Sequence, residues 1–244
     1  MTDRPIIFSA PMIRAILEGR KTQTRRVMTL SNTLMNGDAW STYDREQTWD
    51  WVGAWVDPGP SPAGNPGPYL KLPFLAGDDA TLSGCVMRVY PKIQPGTRLW
   101  VREAHYLTDD GESEYAVYAA DQGDVDEHLA NMQATMASWP NIDWSKHLRL
   151  RPSIHMPRWA SRLTLVVDDV RVQRLQDISE ADAIAEGCPG FVSHDGEYGE
   201  PPREDFHDLW NSINGPDAWD ANPWVFALTF TPHNTNIDQM EQDQ

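Results

Sequence analysis

The segment Ser161-Arg-Leu-Thr-Leu-Val-Val-Asp-Asp-Val-Arg-Val-Gln-Arg174 constrains the fold most, because its β-branched and aliphatic residues favour an extended backbone. A strand this long leaves two edges to be paired or covered, so the chain must build a sheet. Asp168 and Asp169 predict a bend or bulge within it. Shorter strands are expected at Pro5–Phe8, Arg98–Tyr106, Glu114–Ala120 and Trp224–Phe230, with the second and third pairing across the Asp/Gly-rich segment 108–113. Helices are expected over Ser9–Glu18, Val125–Ala137 and Arg203–Ile213, and a turn and helix over Leu175–Glu186 with Ser179 as N-cap. Strands, hairpins and modest helices without a Gly-rich phosphate turn favour a compact α+β barrel over a dinucleotide fold.

Between these elements lies a stretch of different character. Trp40, Trp49, Trp51 and Trp55 stand among polar residues and are followed by Pro58-Gly-Pro-Ser-Pro-Ala-Gly-Asn-Pro-Gly-Pro68, where no regular element can persist. We read residues 30–95 as an insertion. Its tryptophans either pin it to the domain by burial or stack on bases.

Chemistry concentrates at Gly19-Arg-Lys-Thr-Gln-Thr-Arg-Arg26, directly after the first helix, where Gly19 suits a left-handed C-terminal position. An amine, hydroxyls and guanidinium groups side by side suit anion handling or acyl transfer. Basic residues there also complement the helix dipole, which is the structural alternative. Adjacent Arg102 and Glu103 on a strand should face opposite sides and not form one salt bridge. In the segment Arg151 to Trp159, Arg151, His155, Arg158 and Trp159 suit holding a phosphate and stacking a base, or a tight covering loop. His155 has no Ser or Cys partner legible in the sequence.

The eight residues 19–26 resemble the G-x-K-x-x-T-x-R variant of the signature that begins ASCH domains, a branch of the PUA-like superfamily, through Gly19, Lys21, Thr24 and Arg26. Segments 96–103, 151–162, 175–187 and 219–225 also resemble phage-encoded ASCH-like proteins. The resemblance implies a small PUA-like β-barrel with flanking helices; residues 1–230 read as a single domain carrying the insertion at about 30–95, and the polar residues 231–244 as a frayed tail. It further implies hydrolysis of the amide of an N4-acylated cytidine, with Lys21 as proton acceptor, Thr24 as nucleophile and Glu186 as donor to the leaving amine. Glu180 or Asp182 could take the place of Glu186. Arg20, Arg25, Arg26, Arg102, Glu103, Arg151, His155, Arg158 and Trp159 are the substrate-binding candidates. A non-catalytic reader of RNA or modified bases, and a phage assembly or host-interaction protein, stand as alternatives. In purely structural roles, Lys21 would be ion-paired, Thr24 would satisfy a backbone N–H and Glu186 would be solvated.

Charge narrows the partners. The net charge of −16 disfavours a protein that coats nucleic acid, since such affinity comes from Lys and Arg on phosphates. Yet residues 1–30 carry six basic and two acidic side chains, and residues 146–174 seven and two. If these windows met, they would form a local positive site for a modified nucleoside or short single-stranded RNA. Cys85 and Cys188 form no C-x-x-C pair and the seven histidines show no ligand spacing, so neither metal nor other cofactor is expected. No apolar run spans a bilayer and Met-Thr-Asp-Arg-Pro is no signal peptide, which implies a cytoplasmic protein, of a bacterial host if phage-encoded.

Overall fold

The computed structural model describes residues 3–29, 33–34, 49–60, 67–73, 86–109, 113–138, 149–192 and 199–240. In chain order these form β1 (Asp3–Ile7), α1 (Ala10–Leu17), β2 (Gln23–Val27), β3 (Thr33–Leu34), β4 (Trp55–Asp57), β5 (Tyr69–Pro73) and β6 (Val86–Pro91). There follow β7 (Arg98–Arg102), β8 (His105–Asp109), β9 (Glu114–Tyr118), α2 (Gln122–Ser138) and β10 (Thr164–Arg174). The chain closes with α3 (Glu180–Ala185), β11 (Phe191–Val192), β12 (Gly199–Glu200), α4 (Pro202–Asn214) and β13 (Trp224–His233). The class is mixed α+β. Packing divides the chain into a first unit, Met1–Thr22 with Gly96–Val166 and Phe230–Gln244, and a second, Gln23–Pro95 with Val167–Thr229.

In the first unit β1 runs parallel to β7, with Asp3 opposite Arg98. The two are ion-paired at 2.9 Å, the opposite-charge cross-strand pair that stabilises a ladder. The first three residues of β10 pair antiparallel with β7 through Thr164–Trp100, Leu165–Leu99 and Val166–Arg98. α1 packs Ile13 and Ile16 inward, three residues apart on one face. Leu99, Val101, Leu163, Leu165 and Ile237 share that buried character.

The strand expected over Arg98–Tyr106 divides. Its first half joins β1 and β10, whereas β8 forms a hairpin with β9 from His105–Tyr118 to Asp109–Glu114. The break falls at Glu103, whose buried carboxylate is held by Arg162 at 2.9 Å. Residues 110–112 of the connecting segment lie outside the described residues.

The carboxy-terminal segment corrects an expectation. Residues 231–240 are not frayed: β13 extends to His233, Ile237 is buried, and the Asn236 amide donates to the carbonyls of Arg158, Trp159 and Ser161 at 2.9, 3.1 and 2.7 Å. One amide thus closes a turn that has no ladder of its own. Residues 241–244 lie outside the described residues.

In the second unit β2 pairs antiparallel with β13, from Val27–Val225 to Gln23–Thr229. α3 and α4 enclose a core of Leu175, Ile178, Ala183, Cys188, Phe206, Trp210 and Val225. Buried positions along β10 change parity, from Leu165 and Val167 to Val170 and Val172, across exposed Asp168 and Asp169. That phase shift is what the expected bulge would produce.

The insertion also holds order that its composition concealed. β3, β6, β5 and β4 form a four-stranded sheet in that order, with Leu70, Leu72 and Val89 fully buried. Trp49 is buried, and the Trp51 carbonyl accepts hydrogen bonds from Arg174 and from the Trp224 indole, both at 2.9 Å. These contacts tie the insertion to β10 and β13 through a backbone carbonyl; of its described tryptophans Trp49 is buried, Trp51 half-buried and Trp55 exposed. Trp40 and residues 61–66 of the Pro/Gly run lie outside the described residues, as does Cys85. Among the described residues the strand pairings close no barrel, and no helix is long and apolar enough to cross a membrane.

Candidate functional site

Two similar turns deliver the motif and the carboxylate. At the end of α1, Gly19 adopts φ 73°, its N–H bonds to the Ile16 carbonyl, and that of Arg20 bonds to the Ala15 carbonyl. This is a Schellman motif, and glycine is needed for the positive φ rather than for space, since a Cβ there would meet nothing. At the end of α3, Gly187 repeats the arrangement with φ 91°, its N–H on the Ile184 carbonyl and that of Cys188 on the Ala183 carbonyl. Ser179 caps the other end, its hydroxyl accepting from the Asp182 N–H at 3.1 Å as expected. α3 is thereby fixed at both ends, and Glu186 sits at its last turn.

Lys21 belongs to the first unit. It is 0% exposed, its N–H donates to the Ala15 carbonyl at 2.9 Å, and its ammonium lies 5.9 Å from the Phe8 ring centroid. Arg20, by contrast, is exposed and hydrogen-bonded to Glu18 at 2.7 Å.

Thr24, Arg25, Arg26 and Glu186 belong to the second unit. Gln23, Thr24 and Arg25 are all buried, so β2 is covered on both faces. Alternation sets Gln23 and Arg25 on one face and Thr24 and Arg26 on the other. Arg25 is the centre of a charge cluster: Nη1 donates to Gln23 Oε1 at 2.6 Å and to Glu186 Oε1 at 3.0 Å, and Nη2 lies 3.1 Å from Asp182 Oδ2. Its guanidinium carbon is 5.8 Å from the Phe206 ring centroid. Asp182 in turn accepts from Arg171 at 2.8 Å and from Gln23 at 3.2 Å. The two basic windows therefore meet in this unit through one carboxylate, with Arg25 from the first and Arg171 from the second. The Nε–H of Arg25 is buried without a hydrogen-bond partner.

The electrostatics follow from this packing. Burial disfavours the charged form of Asp182, but hydrogen bonding and charge from Arg171, with Gln23 and the Arg25 charge, outweigh it and hold the carboxyl at about 2. Burial draws Arg26 below the usual guanidinium value, and the Glu186 charge acts in the opposite direction.

The remaining candidates lie in the first unit, where the side chains of Arg102, Glu103 and Arg158 already have partners. Arg158 is shared between Asp3 and Asp238, each at 2.6 Å. Trp159 beside it is 48% exposed. His155 is exposed in the short turn Ser153–His155, and Arg151 pairs its backbone with His105 at 2.8 and 3.1 Å. Arg102 donates to the Ile154 carbonyl and stacks 5.2 Å from the Trp100 ring centroid. Glu103 turns instead to Arg162, in a two-bond pair at 2.9 and 3.0 Å. Arg162 also binds Asp121 and lies 4.0 Å from the Tyr118 ring centroid. Burial raises the Glu103 carboxyl above the ordinary range despite the counteracting pull of Arg162.

This network borders a cleft of about 400 Å³ lined by Tyr115, Tyr118, Asp121, His128 and Arg162 among others. A second cleft of about 520 Å³, in the other unit, is lined by Glu180, Glu200, Arg203, Glu204, His207 and Trp219 among others. Neither includes Lys21, Thr24 or Glu186 in its lining. Sequence reading missed Gln23, Asp121, Arg162 and Arg171 as members of charge networks. Arg162 and Arg171 were visible as basic residues of the second window, whereas nothing local marks Gln23 or Asp121. Among the described residues, no group of three or more His, Cys, Asp or Glu is placed to hold a metal ion. No protein-family model, curated protein or solved structure matches this chain.

Proposed function

We propose that this chain is an ASCH-type, PUA-like hydrolase that removes the acyl group from an N4-acylated cytidine. The motif residues Gly19, Lys21, Thr24 and Arg26 carry the family part of this reading. The structural observation that supports it is the buried Arg25, whose side chain is 0% exposed, bonded to Glu186 at 3.0 Å and left with an unpartnered Nε–H. A buried ion pair is a poor device for stability alone, and a buried unpaired donor costs about 1–3 kcal/mol until an acceptor meets it. The oxyanion formed as a hydroxyl adds to an acyl carbonyl is such an acceptor.

In this reading Thr24 supplies the hydroxyl that adds to the acyl carbonyl, Lys21 has the role of proton acceptor, and a guanidinium of the motif stabilises the oxyanion. Collapse expels the cytosine amine, which takes a proton from Glu186, and water then hydrolyses the threonyl ester. β2 alternation sets Thr24 and Arg26 on one face and Arg25 on the other.

The test is incubation with N4-acetylcytidine, as nucleoside and within a short RNA, followed by chromatography of released cytidine. Lys21→Ala and Lys21→Arg should both abolish release, because a guanidinium does not give up its proton at accessible pH. Thr24→Ala should be inactive while Thr24→Ser retains some rate. Near-normal turnover in Lys21→Arg or Thr24→Ala refutes the respective role, and no release from any N4-acylated cytidine by the wild-type chain refutes the hydrolase.

A further inference from the structure

The insertion sheet, which the proposed hydrolysis does not use, presents a face with unmatched chemistry. Trp55 on β4 lies opposite Lys71 on β5, and Lys71 lies opposite Arg88 on β6. Residues directly opposite in an antiparallel ladder share a face, so an indole, an ammonium and a guanidinium line up along one rung. Tyr69 and Tyr90, two residues from Lys71 and Arg88, share that face and place their rings 5.0 Å apart. The other face belongs to Leu70, Leu72 and Val89, all fully buried; on the Trp55 face Tyr69 and Tyr90 are buried as well, and the accessible part is the end that carries Trp55 and Lys71.

The charges on this face do not balance. Lys71 is held 2.6 Å from Asp57, which also accepts from the Tyr69 hydroxyl at 2.9 Å. Arg88 has no such carboxylate among the described residues, and its side-chain Nε is buried without a hydrogen-bond partner. The Tyr90 hydroxyl is in the same condition, on a side chain only 2% exposed. Like charges directly opposite one another destabilise a sheet unless something anionic lies between them. Asp57 supplies such an anion to Lys71, whereas no ion pair among the described residues supplies one to Arg88. Beside this gap the Trp55 ring is 44% exposed, an aromatic surface within reach of the same rung.

We propose that the Trp55–Lys71–Arg88 face binds a short segment of single-stranded nucleic acid, a phosphate resting against Arg88 and Lys71 and its base stacking on Trp55. The site does not depend on the hydrolase reading, and two cations limit it to one or two phosphates. Sequence preference is weak, because stacking on an indole accepts every base.

The experiment measures binding of the full chain to a fluorescently labelled short oligouridylate by anisotropy, across a series of salt concentrations. The wild-type chain should bind at low salt, with a log–log slope of about −0.7 for each phosphate contacted. Arg88→Gln should reduce the magnitude of that slope by about 0.7. It should leave the melting temperature undiminished, since it removes one of two like charges. Trp55→Ala should weaken binding about tenfold, and Trp55→Phe should recover most of the loss. Failure of the wild-type chain to bind at low salt overturns the proposal, as does wild-type affinity in both Arg88→Gln and Trp55→Ala. Equal competition by free uridine monophosphate or by duplex RNA overturns the assignment to a single strand.

Discussion

Substituting Arg25 by Met tests the charge cluster directly, because it removes the cation while keeping an unbranched, buried side chain. The Arg25 side chain is 0% exposed and Glu186 4% exposed, so water cannot take over what the guanidinium supplies. Asp182 keeps the Arg171 hydrogen bond at 2.8 Å and that of Gln23 at 3.2 Å, which leaves Glu186 as the carboxylate that loses most. Removing one member of a buried pair costs about 3–5 kcal/mol, and the Arg26 charge that also acts on Glu186 sets the expectation near the lower end. The double substitution Arg25→Met/Glu186→Met removes both charges and should return to within about 1 kcal/mol of the wild-type chain. Urea unfolding followed by tryptophan fluorescence gives all the corners of the cycle, and the coupling should be about 2 kcal/mol or more. A single Arg25→Met costing under about 0.5 kcal/mol, or purely additive substitutions, would show that the pair is not desolvated and would remove the argument for Arg25 as a poised donor.

Two further outcomes follow from other networks. The Asp182 carboxyl lies at about 2 in the fold and near 3.9 in an unfolded chain, so its contribution is present above about pH 4 and is lost as pH falls toward 2. Asp182→Asn should therefore flatten the acid limb of stability in that window, and an unchanged acid limb contradicts the assignment. Asn236→Ala deletes the donor to the Arg158, Trp159 and Ser161 carbonyls and should cost about 2 kcal/mol, with faster amide hydrogen exchange across residues 158–161; unaltered exchange there refutes the clamp.

What the sequence made legible was what local chemistry determines. Ser179, Gly19 and Gly187 mark helix ends because capping hydroxyls and positive φ are demands of the residue and its immediate neighbours. The Asp168–Asp169 phase shift was readable for the same reason. The insertion sheet was missed although Tyr69-Leu-Lys-Leu-Pro73 alternates cleanly, because a three- to six-residue strand gives little periodic signal beside a dense Pro/Gly run. The ordered carboxy-terminal segment was missed because its order comes from one Asn amide bonding residues more than 70 positions away. Charge networks such as Arg162 with Glu103 and Asp121 join residues about 60 and 40 positions apart, and no spacing rule reports them.

The same limit applies to charge as a guide to partners. Counting residues gave two basic windows, and the natural inference was a positive surface. In the fold, Arg158 lies on Asp3 and Asp238, Arg162 on Glu103 and Asp121, and Arg25 and Arg171 on Asp182. A guanidinium already held by a carboxylate must surrender that pair before it can bind a phosphate, so these four arginines contribute little to affinity for a polyanion. Arg88, outside both windows and in the segment whose composition promised least, is one of the described arginines, with Arg4, Arg25 and Arg102, whose Nε is buried without a hydrogen-bond partner. Salt dependence of binding should accordingly track Arg88 and be nearly indifferent to Arg158, and that contrast separates a cation's environment from its mere presence in the sequence.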